Sequence, residues 1–233
     1  SVLVMLFIAT SSHASMNDDA CRSVGDAQES FGNELCRRTI ETDGAGQLQF
    51  ALSGLWLNQR TDEANERLRG AWKEALGDAA AMTPDLAAQS RIKWSMRLWL
   101  RIYYLFNDRS DHFPRRLARD VQTQMEELFW NYGLAKSSVE RAQLRYIWHI
   151  QESENHDMMD LSNAYLALQA VAELPSYRQR KLPDGHTAGE HAAAWAAYYR
   201  RYCDERARHG LFVEVDSPTY GKWFLPELVN ICE

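Results

Sequence analysis

Helix-breaking residues are scarce in this chain. Among 233 residues there are only 6 proline and 12 glycine, and most fall where a helix can begin or end. Between them, apolar residues recur three and four positions apart, the period of one face of an α-helix. Ile92, Met96, Trp99, Tyr103 and Phe106 form one such stripe. Alternation of strand type is confined to Leu211-Phe212-Val213-Glu214-Val215. The chain must therefore fold by packing helices on helices. The pattern predicts helices near 23–40, 46–58, 62–78, 84–107, 113–132, 138–151, 157–173, 188–209 and 218–232.

Start signals support this division. Thr83-Pro84 and Ser217-Pro218 each place a capping side chain before a proline at the first helical position. Ser137 with Glu140, and Thr187 with Glu190, have the spacing of a capping box. The short connections predict stacked antiparallel helical hairpins in a single domain over residues 15–233. Trp94, Trp99, Trp130, Trp148 and Trp195 are the expected aromatic core. The last helix runs through Leu225, Leu228, Val229 and Ile231 to Glu233 without a stop signal, so the polypeptide is expected to continue beyond it.

Residues 2–9 are all apolar, too few to span a bilayer, and Ser12-His13-Ala14 follows them with small residues at the −3 and −1 positions of a cut. Residues 1–14 thus read as the remnant of a secretory signal peptide, which predicts a periplasmic or secreted protein with no membrane span. Four cysteines, Cys21, Cys36, Cys203 and Cys232, include no Cys-x-x-Cys pair. Export predicts disulfides, and local bridges Cys21–Cys36 and Cys203–Cys232 are the expected connectivity among three. A formal net charge of −6 argues against a nucleic-acid partner.

Three stretches concentrate chemistry. The first is Trp148-His149-Ile150-Gln151-Glu152-Ser153-Glu154-Asn155-His156-Asp157, which packs carboxylates, amides and two imidazoles between two helices. Such groups either converge on a site or form a solvated loop with Ser153 or Asp157 as a cap. The second is Glu214-Val215-Asp216-Ser217-Pro218-Thr219-Tyr220-Gly221-Lys222-Trp223. The third holds His186, Glu190 and His191. Its spacing is not that of a His-Glu-x-x-His metal site, and Glu190 is explained by its capping role. No metal or other cofactor is expected. There is no phosphate-binding glycine loop and no Gly-x-Ser-x-Gly elbow.

The Ser153-Glu154-Asn155-His156 and Asp216-Ser217-Pro218-Thr219-Tyr220 stretches, set among short-looped helices, resemble the α/α-toroid polysaccharide lyases, the group of alginate lyases and heparinase-like enzymes. The helical pattern covers most of the chain, whereas the motifs cover some fifteen residues. The resemblance implies a partial (α/α) toroid, a uronic-acid polymer as substrate and cleavage by β-elimination. It implies that Asn155 hydrogen-bonds the uronate carboxyl group, where charge accumulates as the α-proton leaves. His156 would be the base or charge stabiliser, and Tyr220 would give a proton to the leaving oxygen. Glu154, Asp157, Glu214 and Trp223 are the expected substrate contacts. The arginine common in such enzymes has no unique counterpart among Arg178, Arg180 and Arg200. Two alternatives stand beside this one. A glycoside hydrolase would pair Glu154 or Asp157 with Glu214 or Asp216, and a non-catalytic helical scaffold would bind glycan or protein.

Overall fold

The computed structural model describes residues 18–42, 46–80, 92–151, 153–209 and 221–232. They form eight α-helices: α1 Asp18–Thr42, α2 Gln47–Leu57, α3 Thr61–Ala80, α4 Ile92–Phe106, α5 Arg119–Lys136, α6 Glu154–Ala172, α7 Ala188–His209 and α8 Gly221–Cys232. Among the described residues the only strand-like pairing is an isolated bridge between Lys181 and Thr187. The all-α class expected from the sequence is the observed one. The expected signal segment, the Thr83-Pro84 and Ser217-Pro218 caps and the 211–215 stretch lie outside the described residues.

Local chemistry sets several boundaries. Asn58 ends α2 in the left-handed conformation (φ 54°), with its N–H turned back to the Gly54 and Leu55 carbonyls, a conformation asparagine tolerates better than most residues. The turn then passes so close to α2 that a Cβ on Gly54 would lie 2.9 Å from the Gln59 carbonyl oxygen. At the start of α7 the Thr187–Glu190 capping box forms as expected. The Thr187 N–H donates to Glu190 (2.7 Å) and the Glu190 N–H to the Thr187 hydroxyl (3.3 Å).

Side-chain pairs fix how the helices run. Trp94 meets His156, and the Tyr104 hydroxyl donates to the Leu166 carbonyl, so α4 and α6 are parallel. Arg97 faces Glu227 and Arg101 donates to Asn230, so α8 runs the same way. Asn65, Arg69 and Trp72 of α3 bond in order to Ala118, Asp120 and Gln124 on or beside α5, another parallel pair. Across these groups the sense reverses. Lys136 of α5 pairs with Asp160, whereas Gly133 lies against Leu168, and on α7 Tyr202 donates to Glu154 while Tyr199 packs on Tyr165. The helices α2, α4, α6 and α8 pack in series, and α1, α3, α5 and α7 pack against them.

α6 sits between α4, α5, α7 and α8 and is buried around most of its circumference, which is why its sequence is apolar and small on nearly every face. The core gathers Trp99, Trp195, Tyr103, Tyr132, Phe106 and Phe129. Each such side chain removed from water contributes roughly 1.5–3 kcal/mol before ordering costs.

Three expectations fail for identifiable reasons. Residues 138–151 are turns and one short 3-10 segment, Leu144–Tyr146, rather than an α-helix. Ser137 caps the C-terminus of α5 instead, its hydroxyl is held by His191 and Trp195, and Glu140 turns to Gln143 and Arg145. Trp99, Trp130 and Trp195 are core, but Trp148 is 50% exposed and Trp94 37% exposed. No disulfide forms among the described residues, which exclude the side chains of Cys21 and Cys232, the expected partners of Cys36 and Cys203. Cys36 is a buried free thiol whose ionisation is disfavoured by burial, with Ser53 as its polar neighbour, and Cys203 packs partly against the core.

Candidate functional site

The polar stretch singled out in the sequence forms the start of α6 and the turn leading into it. Ser153 caps the helix, its hydroxyl accepting the His156 N–H, while its own O–H donates to the Asn155 side chain. Asp157 accepts the Gln151 N–H (2.8 Å) and ties the preceding turn to the helix. The four residues 154–157 then point to different surroundings. Glu154 is buried against α7, where it accepts from the Tyr202 hydroxyl (3.2 Å) and pairs with Arg206 (3.3 Å). Asn155 is 2% exposed. His156 is half-buried, its ring 5.5 Å from the ring of Trp94.

Two adjoining clefts open at this end of the bundle. The inner one, about 20 Å³, is lined by His149, Glu154, Asp157, Tyr198, Tyr199, Tyr202 and Arg206 with Ile147, Ile150, Met158 and Leu161. The outer one, about 120 Å³, is lined by Glu140, Arg141, Tyr146, His149, Gln151, Leu161 and Tyr198. His149, Leu161 and Tyr198 are common to both. Burial, and to a smaller degree the Asp157 charge, push the Tyr198 hydroxyl up to about 12, so it keeps its proton at neutral pH. Burial and then Glu154 likewise raise Tyr202. Trp148 flanks the clefts with the Arg206 guanidinium over its ring at 4.2 Å.

Of the residues expected to act, the structure brings Glu154 and Asp157 to one cleft, whereas Asn155 and His156 line neither, Asn155 being buried and the His156 ring facing Trp94 of α4. Glu214, Tyr220 and the alternative carboxylate Asp216 lie outside the described residues, as does the side chain of Trp223. Arg178, Arg180 and Arg200 line neither cleft; Arg180 stacks on Trp130 and Tyr177. The cleft arginines are Arg141 and Arg206. The far wall, Tyr198, Tyr202 and Arg206, lies one helical turn apart along α7. That spacing is visible in the sequence, where it reads as a core stripe.

Two further polar groups stand apart from the clefts. At the junction of α4, α6 and α8 the Glu227 carboxyl is fully buried, facing Arg97 (3.9 Å) and the Ser162 hydroxyl (3.4 Å). Burial raises it to about 8, opposed by Arg97, Ser162 and Arg101 and reinforced by Asp160. Beyond α5, Ser137 Oγ lies 2.8 Å from His191 Nδ1, and His191 Nε2 lies 3.0 Å from Asp184. The Trp195 indole N–H donates to the serine oxygen, and since an ionised Asp184 can only accept, His191 directs its Nε2–H there and the serine O–H can donate to Nδ1. Burial acts to raise Asp184, but the bonds from His191 and from the N–H groups of His186 and Val139 hold it below the ordinary carboxylate range. These are the residue types of a nucleophilic triad, yet Ser137 lines neither cleft and the chain of bonds joins the end of α5 to the start of α7. His186 and Glu190, 3.9 Å apart, belong to the same capped turn. Among the described residues no three His, Cys, Asp or Glu side chains are placed to share a metal ion, and no helix is long and apolar enough to cross a membrane. No protein-family model, curated protein or solved structure matches this chain.

Proposed function

We propose that this chain is an exported helical enzyme that cleaves a uronic-acid polysaccharide by β-elimination, with the clefts at the start of α6 as the substrate site. The carrying observation is that His149, Glu154 and Asp157 of the polar 148–157 stretch wall a cleft whose other side is a tyrosine and arginine face of α7. Aromatic rings, hydroxyls and paired charges in a groove suit a sugar chain. The partial toroid expected from the resemblance accords with two sets of helices running in opposite senses. In that arrangement α4, α6 and α8 start at one end, and Tyr220 immediately precedes α8 in sequence.

In this reading His156, with His149 in the cleft itself, supplies the base that takes the α-proton. Tyr198 holds a proton suited to the leaving oxygen, a role that Tyr220 would share or replace. Asn155 is buried and lines neither cleft, whereas Arg141 is already on the cleft wall.

The test is the ultraviolet absorbance of the conjugated double bond that elimination leaves, followed on a panel of uronic-acid polysaccharides. Full-length protein should give a rise that His156→Ala loses. New reducing ends without that absorbance would replace the lyase by a hydrolase, which the presence of both Glu154 and Asp157 on the inner cleft favours as the second reading. Neither product from folded protein would leave glycan binding without cleavage.

A further inference from the structure

Two residues of the inner cleft each carry one polar atom without a partner. Arg206 is 3% exposed and Tyr199 3% exposed, both line this cleft, and the Arg206 Nε–H and the Tyr199 hydroxyl make no hydrogen bond among the described residues. The rest of Arg206 is committed: its guanidinium pairs with Glu154, donates to the Ile147 carbonyl (3.5 Å) and covers Trp148. A buried donor without an acceptor costs about 1–3 kcal/mol, so two on residues of one cleft mark a place where an acceptor oxygen belongs.

The charges on the wall decide what kind of oxygen. Arg206 is offset by Glu154, and Asp157 adds a further negative charge. A carboxylate entering here would meet two carboxylates against one guanidinium. A hydroxyl meets no such penalty: it accepts from Arg206 or Tyr199 and donates to Glu154 or Asp157. The outer cleft, bordered by Tyr146, Arg141 and Tyr198, has the larger space for a ring.

We infer that the inner cleft is a subsite for sugar hydroxyls, in which Arg206 Nε–H and the Tyr199 O–H donate to the hydroxyl oxygens of a ring held in the outer cleft. The inference rests on reading the clefts as a saccharide site, and it places the substrate's carboxylate elsewhere, on the Arg141 side.

Binding, separated from cleavage, tests it. Titration calorimetry on the full chain would compare a neutral glucan trisaccharide with a uronate trisaccharide, for the unaltered protein, Tyr199→Phe and Arg206→Lys. Tyr199→Phe removes only a hydroxyl that has no partner in the folded protein, so its melting temperature should hold or rise. Both sugars should bind the unaltered protein, and each variant should weaken both by about tenfold, the loss of one hydrogen bond. Unchanged affinities in Tyr199→Phe, or no binding of the neutral sugar where the uronate binds, would overturn the inference. Tyrosine-dependent binding with no elimination product would leave this subsite standing and remove the lyase reading. Elimination with affinities indifferent to Tyr199 would do the reverse.

Discussion

Replacing Glu227 with glutamine separates two accounts of the junction where α8 docks. In one, the carboxyl is buried as a neutral acid. In the other, it is an anion paired with Arg97. The geometry favours the first: Arg97 stands 3.9 Å away, too far for a hydrogen bond, and the group has no exposed surface. With an ordinary value of 4.5 in the unfolded chain and about 8 in the folded one, Glu227 binds a proton more tightly when folded. Its contribution is therefore present in full below pH 4.5 and is lost as pH rises towards 8. At pH 7 the interval above 4.5, at about 1.36 kcal/mol per pH unit, corresponds to a loss of roughly 3 kcal/mol. At pH 5 the loss is under about 1 kcal/mol.

Glutamine keeps the shape and cannot ionise. Glu227→Gln should therefore be near neutral at pH 5 and more stable than the parent by up to about 3 kcal/mol at pH 7. Urea unfolding of both proteins from pH 5 to 8 reads this directly, and the difference between them cancels every other titrating group. The reasoning is refuted if the variant is less stable at pH 7 by about 3–5 kcal/mol, the cost of breaking a buried ion pair. A stability gap that narrows on going up in pH would refute it equally.

Other consequences are simpler. Trp99→Ala should cost about 3–5 kcal/mol in urea unfolding, and Trp148→Ala less than about 1, although both were read from the sequence as core. Gly133→Ala would set a Cβ 2.4 Å from Leu168 Cδ2 and should cost about 1–3 kcal/mol, with Leu168→Ala recovering part of the loss in a double-mutant cycle. Ser137→Ala leaves the Trp195 indole N–H and the His191 ring without their shared partner. It should lower stability by about 1–3 kcal/mol and speed amide exchange at the start of α7, with no change in the elimination assay.

Helix positions were legible because helical periodicity and breakers are local signals. The bounds of α7 matched the expectation, and those of α2, α3 and α6 fell within a few residues of it. The error at 138–151 shows the limit of such signals. Ser137-Ser138-Val139-Glu140 has the spacing of a capping box, but the Ser137 oxygen is claimed by His191 and Trp195, 54 and 58 residues away, and a local pattern cannot report a competitor that distant. Trp148 was misplaced for a related reason: a large aromatic side chain is normally core, but here its ring meets Arg206 and His209 from the far end of α7 and stays half-exposed. Glu227 left a usable trace, as a lone acid among Leu225, Leu228, Val229 and Ile231.

The candidate site divides the same way. Its near wall was legible because Glu154 and Asp157 stand in one unusual stretch. Its far wall was not, because Tyr198, Tyr202 and Arg206 also satisfy the helical period of a core face. Both descriptions are true of Arg206. One edge holds Glu154 and the Ile147 carbonyl and so closes α7 on α6, whereas its Nε–H has no partner. A residue that only closed the bundle would be expected to have all its buried donors satisfied. That two such atoms, the Arg206 Nε–H and the Tyr199 hydroxyl, belong to residues of one cleft is what the proposed subsite rests on. It is also why the hydroxyl-only change at Tyr199, which removes no contact of the folded chain, is the most selective probe of function at this end of the molecule.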